Sequence, residues 1–303
     1  MSFDLKSIQL FTRIAALGQI GAAGREFRLS PTSATQRIKA LENVLGTRLL
    51  NRSTRSVSLT PDGEAFLRHA TNIVASMDEA YSELSGEAEV SGTLRVTSSA
   101  TFGRLYIMPH LRRFMDLHPK LELELNLSDT VLDMVEGGFD LALRIGVLRD
   151  SQLLAKKLAP CRRVLVASPC YLEKHPPIST PADLSVHECL VDGYKNSWRF
   201  RHPDGREENV RVSGRFKSNI GEAFSAAALD GFGIAALSLW HAHEALKQGA
   251  LRVVLPEVEL LPDWNIYAVQ TSTGHTPARV RVFREFMEAE LKLQQPIWEE
   301  ALR

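Results

Sequence analysis

Phe66, Ala70, Ile73, Met77, Ala80 and Leu84 follow one another at steps of 4, 3, 4, 3 and 4 residues. A seam spaced in this way calls for one long helix whose apolar edge pairs with another helix; the alternative is a helix lying on its own domain. Thr60 and Pro61 stand where a cap and a first helical residue belong, because proline gives up only an N–H that the first turn cannot use. Such a rod divides the 303-residue chain into a short head and a long body. That suits a length at which single cores stop growing.

The two parts differ in charge. Residues 1–60 hold nine cations (Lys6, Arg13, Arg25, Arg28, Arg37, Lys39, Arg48, Arg52, Arg55) against Asp4, Glu26 and Glu42. The head is therefore +6 and the remainder −6 in a chain of zero net charge. A basic module on an acidic body is the electrostatic layout of a phosphate-binding head.

Within the head, Leu5, Ile8, Phe11 (or Thr12) and Ala15 predict a first helix ending at Gly18, and a short second helix follows over Gly21 to Phe27. The stretch "SPTSATQRIKALE" opens a third, with Ser30 as N-cap and Pro31 at its first position. Ala34, Ile38, Leu41 and Leu45 give it a packing face, and Gly46 ends it. Thr32, Thr35 or Gln36, Lys39 and Asn43 form the opposite stripe. Glutamine there can pair with adenine in the major groove and a threonine methyl can lie on thymine, while Arg37 and Lys39 reach phosphates. Residues 48–60 read as a hairpin carrying Arg52 and Arg55. Together these elements predict a winged helix-turn-helix; the alternative is a small helical domain with solvated cations.

Gly86 to Gly92 reads as a linker, and strands then alternate with helices. The expected strands are Thr93–Thr97, Leu121–Leu127, Leu141–Ile145, Arg163–Ala167, Cys189–Asp192, Val210–Ser213, Gly233–Leu237 and Ile266–Gln270; the expected helices include Leu105–Leu117, Gly221–Asp230 and Pro277 to about Gln294. This is α/β grammar. Ser98 to Thr101 close a strand and open a helix, where hydroxyls and free N–H groups can receive a carboxylate; ordinary strand-end caps would look the same.

With these elements in place, the head resembles the DNA-binding domain of LysR-type transcriptional regulators through "AAGREFRLSPTSATQRIKALENVLGTRLLNRSTRSVSLTPDGEAFL". "SGTLRVTSS", "FDLALRIG" and "GFGIA" are similar to that family's effector domain. The resemblance implies an α/β fold with an N-terminal all-α winged helix-turn-helix domain (1–60), a long linker helix and hinge (61–89), and a two-lobed, periplasmic-binding-protein-like effector domain (90–303). Lobe one would take 90–161 and 267–303, and lobe two 162–266. It implies base reading by Pro31, Thr32, Thr35 and Gln36, wing contacts by Arg52 and Arg55, and a helix-start contact at Thr60. It also implies an effector cleft at Ser98, Ser99, Ala100, Thr101, Gly146, Ser218 and Asn219. The implied function is transcription control by an effector, a carboxylate being the expected class. Implied partners are double-stranded DNA at an imperfect palindrome, a second copy through the linker helix, and a homotetramer. Thr35-Gln36 stands where many members have Ser-Arg, so a relative's operator cannot be borrowed. Gly18-Gln19-Ile20 likewise replaces Gly-Ser-Phe.

A solute-binding protein or a small-molecule enzyme is the alternative class. No Walker A, G-x-S-x-G or H-E-x-x-H motif occurs. Gly231-Phe-Gly-Ile-Ala-Ala236 matches G-x-G-x-x-A but leads from a helix into a strand, the reverse of a dinucleotide site. His241 and His243, expected on a helix surface, have no third ligand at a recognisable spacing, so no metal or cofactor is expected. Cys161, Cys170 and Cys189 form no C-x-x-C pair and read as reduced, mostly structural thiols, and Trp198 and Phe200 read as lobe core, with cleft lining as the alternative. The opening Met-Ser-Phe-Asp-Leu-Lys is not a cationic leader and no apolar run reaches membrane-spanning length, so the cytoplasm is the expected location.

Overall fold

The computed structural model describes residues 4–52, 57–85, 90–130, 133–134, 137–148, 153–193, 196–270 and 276–302. It divides into two compact units, Met1–Gly92 and Thr93–Arg303. No helix among the described residues is long and apolar enough to cross a membrane.

In the first unit α1 (Leu5–Leu17) starts where the Asp4 side chain accepts the Ser7 N–H at 3.0 Å, and it stops at Gly18, whose φ of 65° ends the spiral. After α2 (Ile20–Glu26) the chain turns through Arg28, itself at φ 56°, and the Leu29 N–H donates to the Gly24 carbonyl at 2.8 Å. α3 (Pro31–Leu45) then begins, with the Ser30 hydroxyl accepting the Ser33 N–H at 3.1 Å. Strands β1 (Leu50–Arg52) and β2 (Val57–Leu59) pair antiparallel, and α4 (Pro61–Ser85) leads away. Ile8, Leu10, Phe11, Ile14, Ala34, Ile38, Leu41 and Leu49 are buried together with Ala70 of α4.

That last contact splits the seam of α4. Phe66 and Ala70 pack on the core of their own domain, whereas Ile73 and Met77 are 41% and 37% exposed. One helix face thus packs inward at its start and lies exposed further along, and the side chains of Ala80 and Leu84 lie outside the described residues, as do 86–89 of the linker.

The chain continues through β3 (Ser91–Ser98), α5 (Ala100–Phe102), a π-helical turn (Gly103–Ile107), α6 (Met108–Leu117), β4 (Lys120–Leu127), β5 (Leu141–Gly146) and β6 (Leu154–Cys161). There follow β7 (Arg163–Ala167), α7 (Pro169–Lys174), β8 (Cys189–Asp192), β9 (Ser197–Arg201), β10 (Glu207–Arg211) and β11 (Lys217–Ser218). The last elements are α8 (Gly221–Leu229), β12 (Ile234–Ser238), α9 (Leu239–Lys247), β13 (Arg252–Val254), β14 (Glu259–Leu261), β15 (Trp264–Gln270) and α10 (Ala278–Glu300).

Two five-stranded sheets form, in the orders β4-β3-β5-β15-β6 and β11-β8-β12-β7-β13, with a three-stranded β10-β9-β14 sheet beside the second. β3 runs parallel to β5, and β8 parallel to both β11 and β12. The chain leaves the first sheet between β6 and β7 and returns between β14 and β15. The return comes earlier than expected: residues 264–266, assigned by sequence to lobe two, pair with β5 and β6 of the first sheet. The expected strand at Val210–Ser213 is shifted to Glu207–Arg211, where its register is set by β9.

Strands β6, β9, β11, β13 and β14 are not among those expected from the sequence. β6 carries Lys156, Lys157 and Pro160, an unpromising set until the strand is seen to lie at a sheet edge, where cations and a missing N–H cost little. The helix expected over 105–117 starts earlier and widens into the π turn ahead of Pro109, which has no N–H to offer the Leu105 carbonyl. The final helix runs on to Glu300 with Pro296 inside it.

Candidate nucleic-acid interface and effector cleft

α3 turns Ala34, Ile38 and Leu41 inward and leaves Pro31, Thr32, Gln36, Lys39 and Asn43 exposed, with Thr35 half-buried. Its only acid, Glu42, is used internally: Oε1 accepts the N–H groups of Leu49 and Leu50 at 2.9 and 3.2 Å, tying the helix to β1. The outward stripe therefore presents hydroxyls, the amides of Gln36 and Asn43, and the Lys39 cation. Arg37 is partly engaged, since its Nη2 meets Asp4 at 3.0 Å. The Ser7 hydrogen bonds, with help from the Arg37 charge, hold the Asp4 carboxyl below its ordinary value. The Thr60 hydroxyl donates to the Arg48 carbonyl at 2.6 Å and accepts the Gly63 N–H at 2.9 Å, so its side chain caps α4. The side chain of Arg52 and all of Arg55 lie outside the described residues.

Two residues that place this surface were missed by sequence. A methyl group on Gly24 would stand 3.1 Å from the Ala34 Cβ, so the glycine lets α2 and α3 approach; a methyl on Gly63 would meet the Leu49 carbonyl oxygen at 2.0 Å. Such close approaches leave no periodic signal along the chain.

In the second unit Ser98 is the buried last residue of β3, and Ser99 precedes α5 as its N-cap. Strands β3 and β5 pair Ser98 with Leu143, which brings Gly146, at φ 138°, to the same carboxyl-terminal edge. Ligands in open α/β sheets settle at that edge. The hydroxyls of Thr97 and Ser98 are buried there without a partner among the described residues. The expected free N–H groups are not all free, however. The Ala100 N–H donates to Asp129 Oδ1 at 3.1 Å, and the Thr101 hydroxyl donates to Glu222 Oε2 at 3.3 Å. Glu222 Oε1 also pairs with Arg104 Nη2 at 2.7 Å, so α8 is joined to the start of the α5–α6 helix. Protein carboxylates occupy the positions that sequence reading reserved for a ligand's. Ser218, whose hydroxyl accepts the Ile220 N–H at 3.1 Å, and exposed Asn219 precede α8 and thus lie four and three residues before Glu222. Arg104, Asp129 and Glu222 went unnoticed; the one local hint was Arg104, a helical turn beyond Thr101.

His241 and His243 do not sit on the helix surface. Both are half-buried; the His241 ring stacks 5.3 Å from that of Trp240, and burial lowers its pKa. His243 Nδ1 stands 3.1 Å from the Trp240 carbonyl. Among the described residues no three metal-binding side chains gather. Phe200 is fully buried in the core of the second lobe, with Trp198 packed against it. Cys161 and Cys189 are buried thiols; burial raises the first above its ordinary value and pushes the second to about 12.

A helix-turn-helix whose third helix turns a polar and cationic face outward, followed by an α/β body of two sheets joined by two chain crossings, is the layout of a ligand-responsive DNA-binding regulator. Residues 5–64 match the family model described as bacterial regulatory helix-turn-helix protein, lysR family, and residues 87–292 match the LysR substrate binding domain. The chain belongs to the LysR family of transcriptional regulators and is not an enzyme; the readings as solute-binding protein or enzyme end here. It is 35% identical over 288 residues to the transcriptional regulator DmlR of Escherichia coli K12, covering 93% of each chain. It is 34% identical to the transcriptional activator TtdR of the same strain, covering 94% of this chain and 92% of that one. Among solved structures, CrgA of Neisseria meningitidis superposes with a TM-score of 0.59 at 29% identity, over 96% of this chain and 99% of that one. The full-length Vibrio cholerae virulence activator AphB gives 0.56 at 29%, over 94% and 98%. Members of this family bind DNA and small-molecule effectors and oligomerise.

Proposed function

We propose that α3 enters the major groove with Pro31, Thr32, Thr35 and Gln36 at base edges, while Lys39, Arg37 and the wing residues Arg52 and Arg55 meet phosphates. Thr60 fixes the start of α4 beside the backbone. The observation that carries this reading is the outward stripe of α3, whose one acid is turned inward to Leu49 and Leu50. Ile73 and Met77, exposed on α4, pair with a second copy, so that two reading helices address the half-sites of an imperfect palindrome. Dimers pair again into a tetramer, and the protein acts in the cytoplasm, where its DNA is.

The effector is a small carboxylic acid. Its carboxylate takes the place that Glu222 holds on Thr101 and Arg104, and the difference in affinity between the bound and unbound arrangements of α8 is what shifts the regulator between states. Footprinting of the full-length protein on the promoter beside its own coding region, repeated with a panel of small mono- and dicarboxylic acids, tests this. A protected imperfect palindrome whose pattern changes with one acid is expected. Protection of all DNA alike, with or without acids, would refute it. Arg52→Ala should weaken binding on every sequence and lower the salt slope by about one unit; an unaltered slope would remove that residue from the phosphate contacts.

A further inference from the structure

Away from the Ser98–Thr101 corner, a cavity of about 620 Å³ opens where the chain passes between the two large sheets. Its size lies within the roughly 300–1,000 Å³ usual for small-molecule sites. Phe200, Val254, Val258 and Leu260 supply apolar lining, and the two crossings supply Arg163 and Trp264.

Arg163 is the unusual member. Its guanidinium lies over the Trp264 ring, 4.2 Å from the centroid, and Nη2 donates to the Pro262 carbonyl at 3.0 Å. Its Nε is buried with no acceptor, and among the described residues Arg163 pairs with no carboxylate. The acids around the cavity are committed elsewhere: Glu259 and Asp263 both go to Arg201, at 3.1 and 3.5 Å. Arg162 in turn is paired with Glu299 at 3.0 Å. Burial pushes the Arg163 guanidinium down to about 10, a desolvation that the nearby Asp263 charge offsets only in part. Leu255, also on the lining, has φ 54°, a conformation costly for leucine and characteristic of ligand clamps.

We propose that this cavity is a second ligand site, for a monocarboxylic acid with an apolar tail: the carboxylate pairs with Arg163 and the tail lies against Phe200, Val254 and Leu260. A planar guanidinium held flat on an aromatic ring presents a fork that fits a carboxylate, and a free phosphate would leave the apolar lining wet. Because both crossings contribute to the lining, a ligand here has different contacts in each arrangement of the lobes. It therefore adjusts the response to the cleft effector without competing for Thr101.

Titration calorimetry on the full-length protein tests this, with octanoate as probe and octanamide as its uncharged counterpart. Octanoate should bind the wild type and Thr101→Val alike, with octanamide about tenfold weaker or worse. Arg163→Met should lose about tenfold or more in octanoate affinity. Val258→Trp, which fills the cavity and keeps Arg163, should lose as much, and it decides the matter if Arg163→Met does not fold. No octanoate binding to the wild type, equal affinity for octanamide, or loss in Thr101→Val with retention in the two cavity variants would overturn the proposal. The last outcome would leave the cleft reading standing, so the two sites are separable.

Discussion

The proposed reading face of α3 and the proposed effector site are built in opposite ways. The first comes mainly from one 15-residue helix, where every third or fourth residue faces the same side. The second draws on residues 98–101, 104, 129 and 146 at one edge of the first sheet and on residues 218–222 beside the other, which meet it through Glu222 on Thr101 and Arg104. A helical face is a local property and survives changes elsewhere, whereas a cleft exists only while the whole body is folded.

That contrast can be tested from the inside of α3 outward. Ile38→Ala removes a fully buried side chain and should cost about 2–5 kcal/mol. Stability in urea and operator binding should fall together; a mutant that kept full stability would show the helix not to be anchored by this face. Gln36→Ala, on the exposed side, should weaken specific binding by about 1–3 kcal/mol and relax preference at one base, with stability unchanged. An unchanged preference in a selection experiment would remove Gln36 from base reading.

In the body the effects are smaller. Glu222→Gln breaks an ion pair whose side chains are 58% and 54% exposed, so the effector unit should lose only about 0.2–1 kcal/mol while operator affinity without effector stays the same. A large drop in melting temperature would mean that Glu222 holds the lobes together and is not a placeholder for a ligand.

The smallest effect separates the two units by pH. Burial lowers the pKa of His118, His187 and His241, all in the body, below the ordinary 6.5. Unfolding there takes up protons, so this contribution is present above pH 6.5 and is lost as pH falls below it. In the head the shifted acids are Asp4 and Glu26, held below 3.8 and 4.5 by Ser7 and Arg13, so their contribution persists until pH drops through the carboxylate range. Melting followed separately in the two units should show the body weakening first on mild acidification; the reverse order would contradict these environments.

Legibility followed the same division. Ser30, Pro31 and Gly46 mark the ends of α3 in the sequence, and the Ala34–Ile38–Leu41 spacing marks its inner face, because caps and apolar spacing act within a few residues. Gly24 and Gly63 were not legible, since what they permit is the approach of segments distant along the chain. In the body, β5, β7 and β8 stood out as apolar runs, while β6 and β9 were hidden by their charges until edge positions and neighbouring strands accounted for them. Ser98 and Thr101 could be selected by their place at a strand end, but Glu222, 121 residues beyond Thr101, could not.

By itself the sequence determined the helices of the head, the polarity of the outward face of α3 and the alternating texture of the body, because periodicity, capping and charge are short-range. Only the tertiary structure decided that Phe66 and Ala70 serve the head's own core, that Glu222 lies on Thr101 and Arg104, and that Arg163 lies on Trp264 and the Pro262 carbonyl at the crossings. Each of these depends on which distant segments meet, and no local pattern carries that information.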